Sequence, residues 1–483
     1  MLVASLVLLA GCERRRDVGP VVVSAIGDAP SYGDASLAVR TFTDRQFADS
    51  VAQGLVRFDA AGQIEPGIAE RWIVTDEGRT YIFRLREAYW PNGKAVTAAE
   101  VVAILRRQIA PRSRNPLLPY LSAIDSVIEM TPQVIQIELS RPRPDLLKLF
   151  AQPELAIART RPAGGTGPFR ASGTPRRVTP LTPLPDPGRA TDDQAAPTPE
   201  ERVVLIAERA AAAVARFAAR KSDLVAGGTI ADWPLVGLSG VAPSNVRLDP
   251  AAGLFGLAIV NRSGFLATPE NRGAIAMAID RTTLTDGIAP GWAPAEDLLP
   301  NQLDSAVAPV HAPWTAVARA DRVAAGRALV ARWRESGAAA PIVRIALPGG
   351  PGGTILWARL AEALGAIGIR AERVAWTDRD SDLRLIDTVA PYDSARWYLH
   401  TACQPCGEAA TQAIDAARTA PTLVARASAI AQADAALAQD VAFVPIARPL
   451  RWSLVALRLR AWQPNDRAWH PLNRLRFDTN SRS

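Results

Sequence analysis

Hydrophobic and polar positions alternate with period two in several stretches of this 483-residue chain and follow helical spacing in others. Thr80 to Arg86 is the clearest alternation. Tyr81, Phe83 and Leu85 fall on one face and Arg84 and Arg86 on the other, which predicts a half-buried antiparallel strand. Ile135, Ile137 and Leu139 predict a second strand, Val21-Val22-Val23 a third, and Leu254 to Asn261 a buried one. Asp44 to Leu55 has helical spacing, with Phe47, Val51 and Leu55 on one face. Thr97 and Glu100 form a capping box ahead of Val101, Val102, Ile104 and Leu105, so a helix is predicted there. Further helices are predicted at 271–279, 321–336 and 424–439, and an Ala-rich one over 200–220.

Between 342 and 376 the order is strand, glycine-rich loop, helix, strand, which predicts a parallel βαβ unit. The loop, Pro348-Gly349-Gly350-Pro351-Gly352-Gly353, runs into a helix expected from Thr354. It has neither the Gly-Lys-Ser/Thr ending of a Walker loop nor Gly-x-Gly-x-x-Gly spacing, so it reads as a connection rather than a phosphate cradle. Residues 172–200 carry Pro175, Pro180, Pro183, Pro185, Pro187, Pro197 and Pro199 without periodicity, which predicts an exposed loop. Val444-Pro445-Ile446 reads as a late strand.

The first residues add an address. The apolar run Met1 to Leu9 leads through Ala10-Gly11 to Cys12 and then to the charged run 13–17, the order of a bacterial lipoprotein signal. Residues 1–11 are then a removed signal, and Cys12 is the lipidated first residue of a periplasmic, membrane-anchored protein. Eleven residues fall short of the ~20 needed to span a bilayer. Two acyl signals suffice for stable anchoring.

Composition narrows the function. The chain is long enough for two or three domains. Its net charge of +7 comes almost entirely from Arg, Lys94, Lys148 and Lys221 being the lysines. No basic cluster is interleaved with aromatics, so no nucleic-acid partner is expected. Beyond Cys12, the cysteines are Cys403 and Cys406 in a Cys-x-x-Cys pair, with His400 nearby. A local disulfide closing a turn is favoured in an oxidising compartment. A metal site is the alternative, but a structural zinc needs four ligands. No nucleophile elbow or His-Glu-x-x-His helix is present, so neither an enzyme nor a cofactor is expected.

Six segments, in order, resemble the extracytoplasmic solute-binding proteins of ABC importers, family 5, the peptide- and nickel-binding group. They are Ser50 to Ala69, Glu70 to Val102, Gly165-Thr166-Gly167-Pro168-Phe169, Asn271 to Asp286, Ala361 to Arg370 and Val444-Pro445-Ile446. The family's Trp–Asp–Pro–Phe-Leu segment has no clean copy, and the nearest candidate begins at Asp387. The resemblance implies an α/β, type II periplasmic-binding-protein fold with two lobes, a hinge and an extra subdomain in the first lobe. The implied layout is tether 12–20, first lobe 21–48, extra subdomain 49–161, first lobe 162–250, second lobe 251–444 and a return to the first lobe at 445–483. It further implies a small solute such as a peptide bound between the lobes by a monomer and delivered to an ABC permease. A zwitterionic ligand would place its amine on Asp387 and its carboxylate on Arg396. Trp397 and Tyr32 would serve as apolar walls, and Thr166 and Gly167 would offer polar groups of the crossing segment. The same fold could instead serve as an envelope sensor or interaction protein without an importer.

Overall fold

Three β-sheets carry the architecture of the chain. The computed structural model describes residues 18–31, 33–34, 41–160, 163–185, 197–301 and 303–476. The signal, Cys12 and Tyr32 lie outside them. Val21–Ile26 sits inside a seven-stranded sheet, parallel to both Val203–Glu208 and Leu224–Gly228. The sheet continues through Arg451–Val455 to Val246–Asp249 on one side, and through Val178–Pro183 to Phe169–Ala171 on the other. A second sheet of five strands runs Arg370–Ala375, Ile342–Leu347, Leu383–Val389, Gly253–Ile259, Phe443–Ala447. Gly253–Ile259 is buried along its whole length, as its unbroken apolar run requires for a strand covered on both faces. Ile342–Leu347 and Arg370–Ala375 pair in parallel around the helix Gly350–Ala366, the expected βαβ unit.

The chain passes between these sheets twice, at 250–252 and at 448–450. Phe443–Ala447 still belongs to the five-stranded sheet, so the second crossing falls a few residues after the 445 boundary expected from the sequence. Two sheets joined by two short crossings make a hinge, and this is the type II fold that the resemblance implied.

The extra subdomain is an antiparallel sheet of Ala69–Thr75, Thr80–Leu85, Val134–Leu139 and Ile124–Thr131. Tyr81, Phe83 and Leu85 face its core, and Thr97 and Glu100 close the expected capping box on the helix Ala98–Gln108. The subdomain core does not stop at its own boundary. Tyr81, Phe83 and Phe150 belong to the same apolar cluster as Trp397, Tyr398 and Leu399 of the second lobe.

Three sequence expectations need correction. Residues 172–200 are not all loop, because Val178–Pro183 is a strand between two others. Thr179 and Leu181 point inward and are buried. Pro180 is tolerated because its carbonyl accepts from Ser172, so its missing N–H lies on that side, away from the Val203–Glu208 ladder. The helix expected over 200–220 is only Ala210–Ala218, because the apolar run Val203-Val204-Leu205-Ile206, three of its four residues β-branched, is taken by the sheet. The glycine-rich segment is not a free connection, since the helix begins at Gly350 rather than Thr354.

The first helix, Phe42–Val51, packs against the returning C-terminal segment. There Trp469 Nε1 donates to Asp49 Oδ2 at 3.2 Å. Burial dominates the environment of Asp49 and raises it from 3.8 to about 6, against the lowering effect of Trp469, Arg57 and Arg45. A folded pKa above the unfolded one means that folding takes up a proton between those values, so Asp49 favours folding more as pH falls from about 6 towards 4. His400, lowered by its burial, works in the opposite sense. The informative readout is therefore a difference. We expect Asp49→Asn to be more stable than the parent at pH 7.5 and to lose most of that advantage near pH 4, as urea melts at the two pH values would show.

Candidate functional site

The segment that leaves strand Leu383–Val389 lies where the second lobe meets the subdomain and the C-terminal return. It runs through Ala390, Pro391, Tyr392 and Asp393 into the helix Ala395–Ala402. Two other parts of the chain grip it. From the subdomain, Gln152 Nε2 donates to the Pro391 carbonyl at 2.6 Å, and the Lys148 ammonium pairs with Asp393. From the returning segment, Arg467 Nη1 donates to the Ala390 carbonyl at 2.8 Å, and Arg467 also pairs with Asp393. Asp393 thus ties together the second lobe, the subdomain and the C-terminal return. Burial lowers Arg467 to about 10 and lowers Lys148 as well. Further along the seam the Tyr120 ring meets Tyr392 at 5.7 Å, Arg396 Nη1 donates to the Pro119 carbonyl at 3.1 Å, and Arg143 Nη2 donates to the Arg418 carbonyl at 2.8 Å. The lobes are therefore in contact across the cleft.

The residues singled out from the sequence fall into three places. Thr166 and Gly167 lie beside the end of the first helix, between the short strand Ala163–Gly165 and Phe169–Ala171 of the seven-stranded sheet, and so not on a crossing between the two large sheets, contrary to the expectation from the sequence. Gln53 Nε2 donates to the Thr166 carbonyl at 2.6 Å and to its hydroxyl at 3.0 Å. Gly167 is required there by packing, since an added Cβ would lie 2.4 Å from the backbone of Val51 and Ala52. Asp387 sits on the five-stranded sheet and is bound by Arg451 of the seven-stranded sheet at 2.7 Å, with Arg451 Nη2 also donating to the Asp387 carbonyl. Burial raises Asp387 and its pairing with Arg451 opposes that shift. Asp387 is thus committed across the hinge to Arg451, the residue that follows the 448–450 crossing. Arg396 and Trp397 lie on the helix at the seam. Trp397 is 4% exposed and packs edge-on to Tyr398 as part of the core rather than as an open wall. Arg396 is 5% exposed and reaches the subdomain. Asp387 and Arg396 are held by different partners, one at the hinge and one at the seam.

Sequence reasoning missed Lys148, Asp393, Arg451 and Arg467. Only Lys148 carried a signal, being one of three lysines in an arginine-rich chain. Cys403 and Cys406 are joined as a disulfide directly after the helix Ala395–Ala402. Among the described residues no group of three or more His, Cys, Asp or Glu could hold a metal ion, and no helix is long and apolar enough to cross a membrane.

Comparison with known proteins agrees with this geometry. The chain is 37% identical over 81 residues to a probable deoxycholate-binding periplasmic protein of Escherichia coli, covering 17% of this chain and 15% of that protein. It is 41% identical over 76 residues to the periplasmic oligopeptide-binding protein of Haemophilus influenzae, covering 16% of this chain and 14% of that protein. The matched sequence is thus a small part of each relative. Structural likeness extends much further. The Haemophilus influenzae oligopeptide-binding protein in complex with the peptide RPPGFSPFR superposes with a TM-score of 0.77 at 18% identity, covering 94% of this chain and 98% of that one. The murein tripeptide binding protein of Escherichia coli superposes with a TM-score of 0.78 at 18% identity, covering 94% and 98%. Its unliganded open form gives 0.66 at 18% identity, covering 95% and 96%. Residues 63–405 match the model of the bacterial extracellular solute-binding proteins, family 5, and the chain belongs to that family.

Proposed function

We propose that this protein is the periplasmic binding component of an ABC importer. It captures a peptide or similar small solute between its lobes and hands it to a membrane permease. The observation that carries this reading is the hinge, two sheets joined at 250–252 and 448–450 with a cleft spanned by the Lys148–Asp393–Arg467 contacts. Such a body can close around a solute and exclude water, so that unmatched polar groups become costly and the fit selective. The related structures support the same reading, since one holds a peptide and the open form of another fits this chain less well. Arg396 is the ligand-facing cation of the proposal, whereas Asp387 belongs to the hinge. A lipid on Cys12 would keep this monomeric receptor near its permease.

Native mass spectrometry of freshly purified protein tests the proposal. A co-purified small molecule, released on denaturation, is the expected result. A chain that is always empty, and that no peptide or metal chelate stabilises, would contradict it.

A further inference from the structure

The seam between subdomain and second lobe contains a small, strongly basic cavity, partly open to solvent. Four guanidiniums line it, Arg143 from the subdomain and Arg396, Arg418 and Arg426 from the second lobe, against the single carboxylate of Asp145. Two of the four are neutralised elsewhere. Arg426 Nε donates to Asp304 at 3.0 Å and its Nη2 to Ser394 at 2.7 Å, and Arg418 Nε donates to Asp415 at 3.0 Å. Among the described residues the other two form no salt bridge. Arg143 donates to the carbonyls of Pro142 and Arg418, at 2.6 and 2.8 Å. Arg396 donates to the Pro119 carbonyl, and its buried Nε has no hydrogen-bond partner. The Tyr120 ring, 5.7 Å from the Arg396 guanidinium carbon, is a weak substitute for an anion.

Electrostatics of the wall agree with the geometry. Burial comes first, and Arg426, Arg141 and Arg396 add to it, so that Arg143 falls to about 9. Burial and Asp304 push Asp145 up to about 6, against Arg426, Lys148 and Arg143, so at neutral pH it remains largely ionised and offsets only one of the four positive charges. Buried cations without a counter-charge are costly, and a fold that brings two of them together from opposite sides of a seam is suited to an anion.

We propose that this cavity is a binding site for an oxyanion, a carboxylate or a group of like charge and shape, held between the guanidinium forks of Arg143 and Arg396. The planar fork matches such an anion with two parallel hydrogen bonds. Because one arginine belongs to the subdomain and the other to the second lobe, the anion neutralises a repulsion across the seam and favours the closed arrangement. The anion is either the solute's own carboxylate or a free ion. Only the first case rests on the transport reading above.

Thermal melting of the full chain with sodium sulfate and with sodium succinate, each against sodium chloride of equal ionic strength, tests the site. A rise above the chloride blank is expected for the parent and is lost in Arg143→Met and Arg396→Met. Arg396→Lys, which keeps the charge but not the fork, should weaken binding about tenfold. In chloride alone, both Met variants should melt no lower than the parent, because each removes an uncompensated buried charge. No rise in the parent, or an equal rise in the Met variants, would overturn the proposal. Peptide pairs that differ only in a C-terminal carboxylate or amide identify the source. If the solute supplies the anion, the amide binds more weakly and sulfate competes with the acid. If a free ion does, the pair bind alike and sulfate adds to their effect. The sulfate arm requires no transported solute, so its failure would leave a co-purified ligand, and hence the transport reading, standing.

Discussion

Replacing Arg451 with Met should destabilise the protein by about 3–5 kcal/mol, the usual cost of stripping one partner from a buried ion pair. Arg451 is 15% and Asp387 12% exposed, and the pair joins the two sheets where the chain crosses between them. Without Arg451 the Asp387 carboxylate stays in a place whose burial already raises it, and loses the contacts that lowered it. Its folded pKa then rises further above the unfolded value, so folding of the variant takes up a proton over a wider range. The deficit should therefore shrink as pH falls from 7 towards 5, where protonation removes the buried charge. The double variant Asp387→Asn with Arg451→Met leaves no charge behind and should lose less stability than Arg451→Met alone. Urea melts of the three proteins at both pH values measure this. Equal stability of Arg451→Met and the parent would mean that the pair contributes nothing at the hinge.

The second large effect is expected at Gly352. This residue lies in the first turns of the helix Gly350–Ala366, pressed against the segment Ile230–Asp232 of the other lobe. An added Cβ at Gly352 would lie 1.7 Å from the Ile230 carbonyl oxygen, a backbone atom that cannot swing aside. Gly352→Ala must therefore push the helix off its neighbour, and a loss of about 3 kcal/mol or more is expected, at the upper end for overpacking. Gly365 of the same helix is the control, because a Cβ there meets nothing within 4 Å. Gly365→Ala should stabilise by up to about 1 kcal/mol through helix propensity alone. Opposite signs for one substitution in one helix separate packing from propensity. They also explain the glycine-rich segment, in which Gly350 and Gly352 serve close approach to Ile230 and Ala231 of the other lobe rather than a phosphate.

Local patterns were legible where one face alone decides the structure. The alternation of Tyr81, Phe83 and Leu85 gives a strand wherever it packs, and the capping box of Thr97 and Glu100 closes within four residues. The strand Val178–Pro183 was illegible because its prolines argue against a sheet, and only the position of Ser172 shows how one is tolerated. Val203–Glu208 was hidden by the alanines after it, which extend a helical signal over residues that the sheet takes. The cleft was less legible still. Lys148, Asp393 and Arg467 lie far apart in sequence and meet only through the closure of three bodies. Asp387 was found, but periodicity could not say that Arg451 already holds it. Arg396 was found as a cation for a ligand carboxylate, and the structure adds Arg143 beside it across the seam.

Solute capture between the lobes is the central claim, and thermal melting of ligand-stripped protein against a panel of peptides and metal chelates tests it most directly. A solute that binds only the folded, closing protein stabilises it by about 2.7 kcal/mol at a hundredfold excess over its Kd, which raises Tm by a few degrees. A reproducible rise with one class of solute, growing with concentration, is the expected result. A flat Tm across the whole panel, from protein refolded to its native spectrum, would contradict the account.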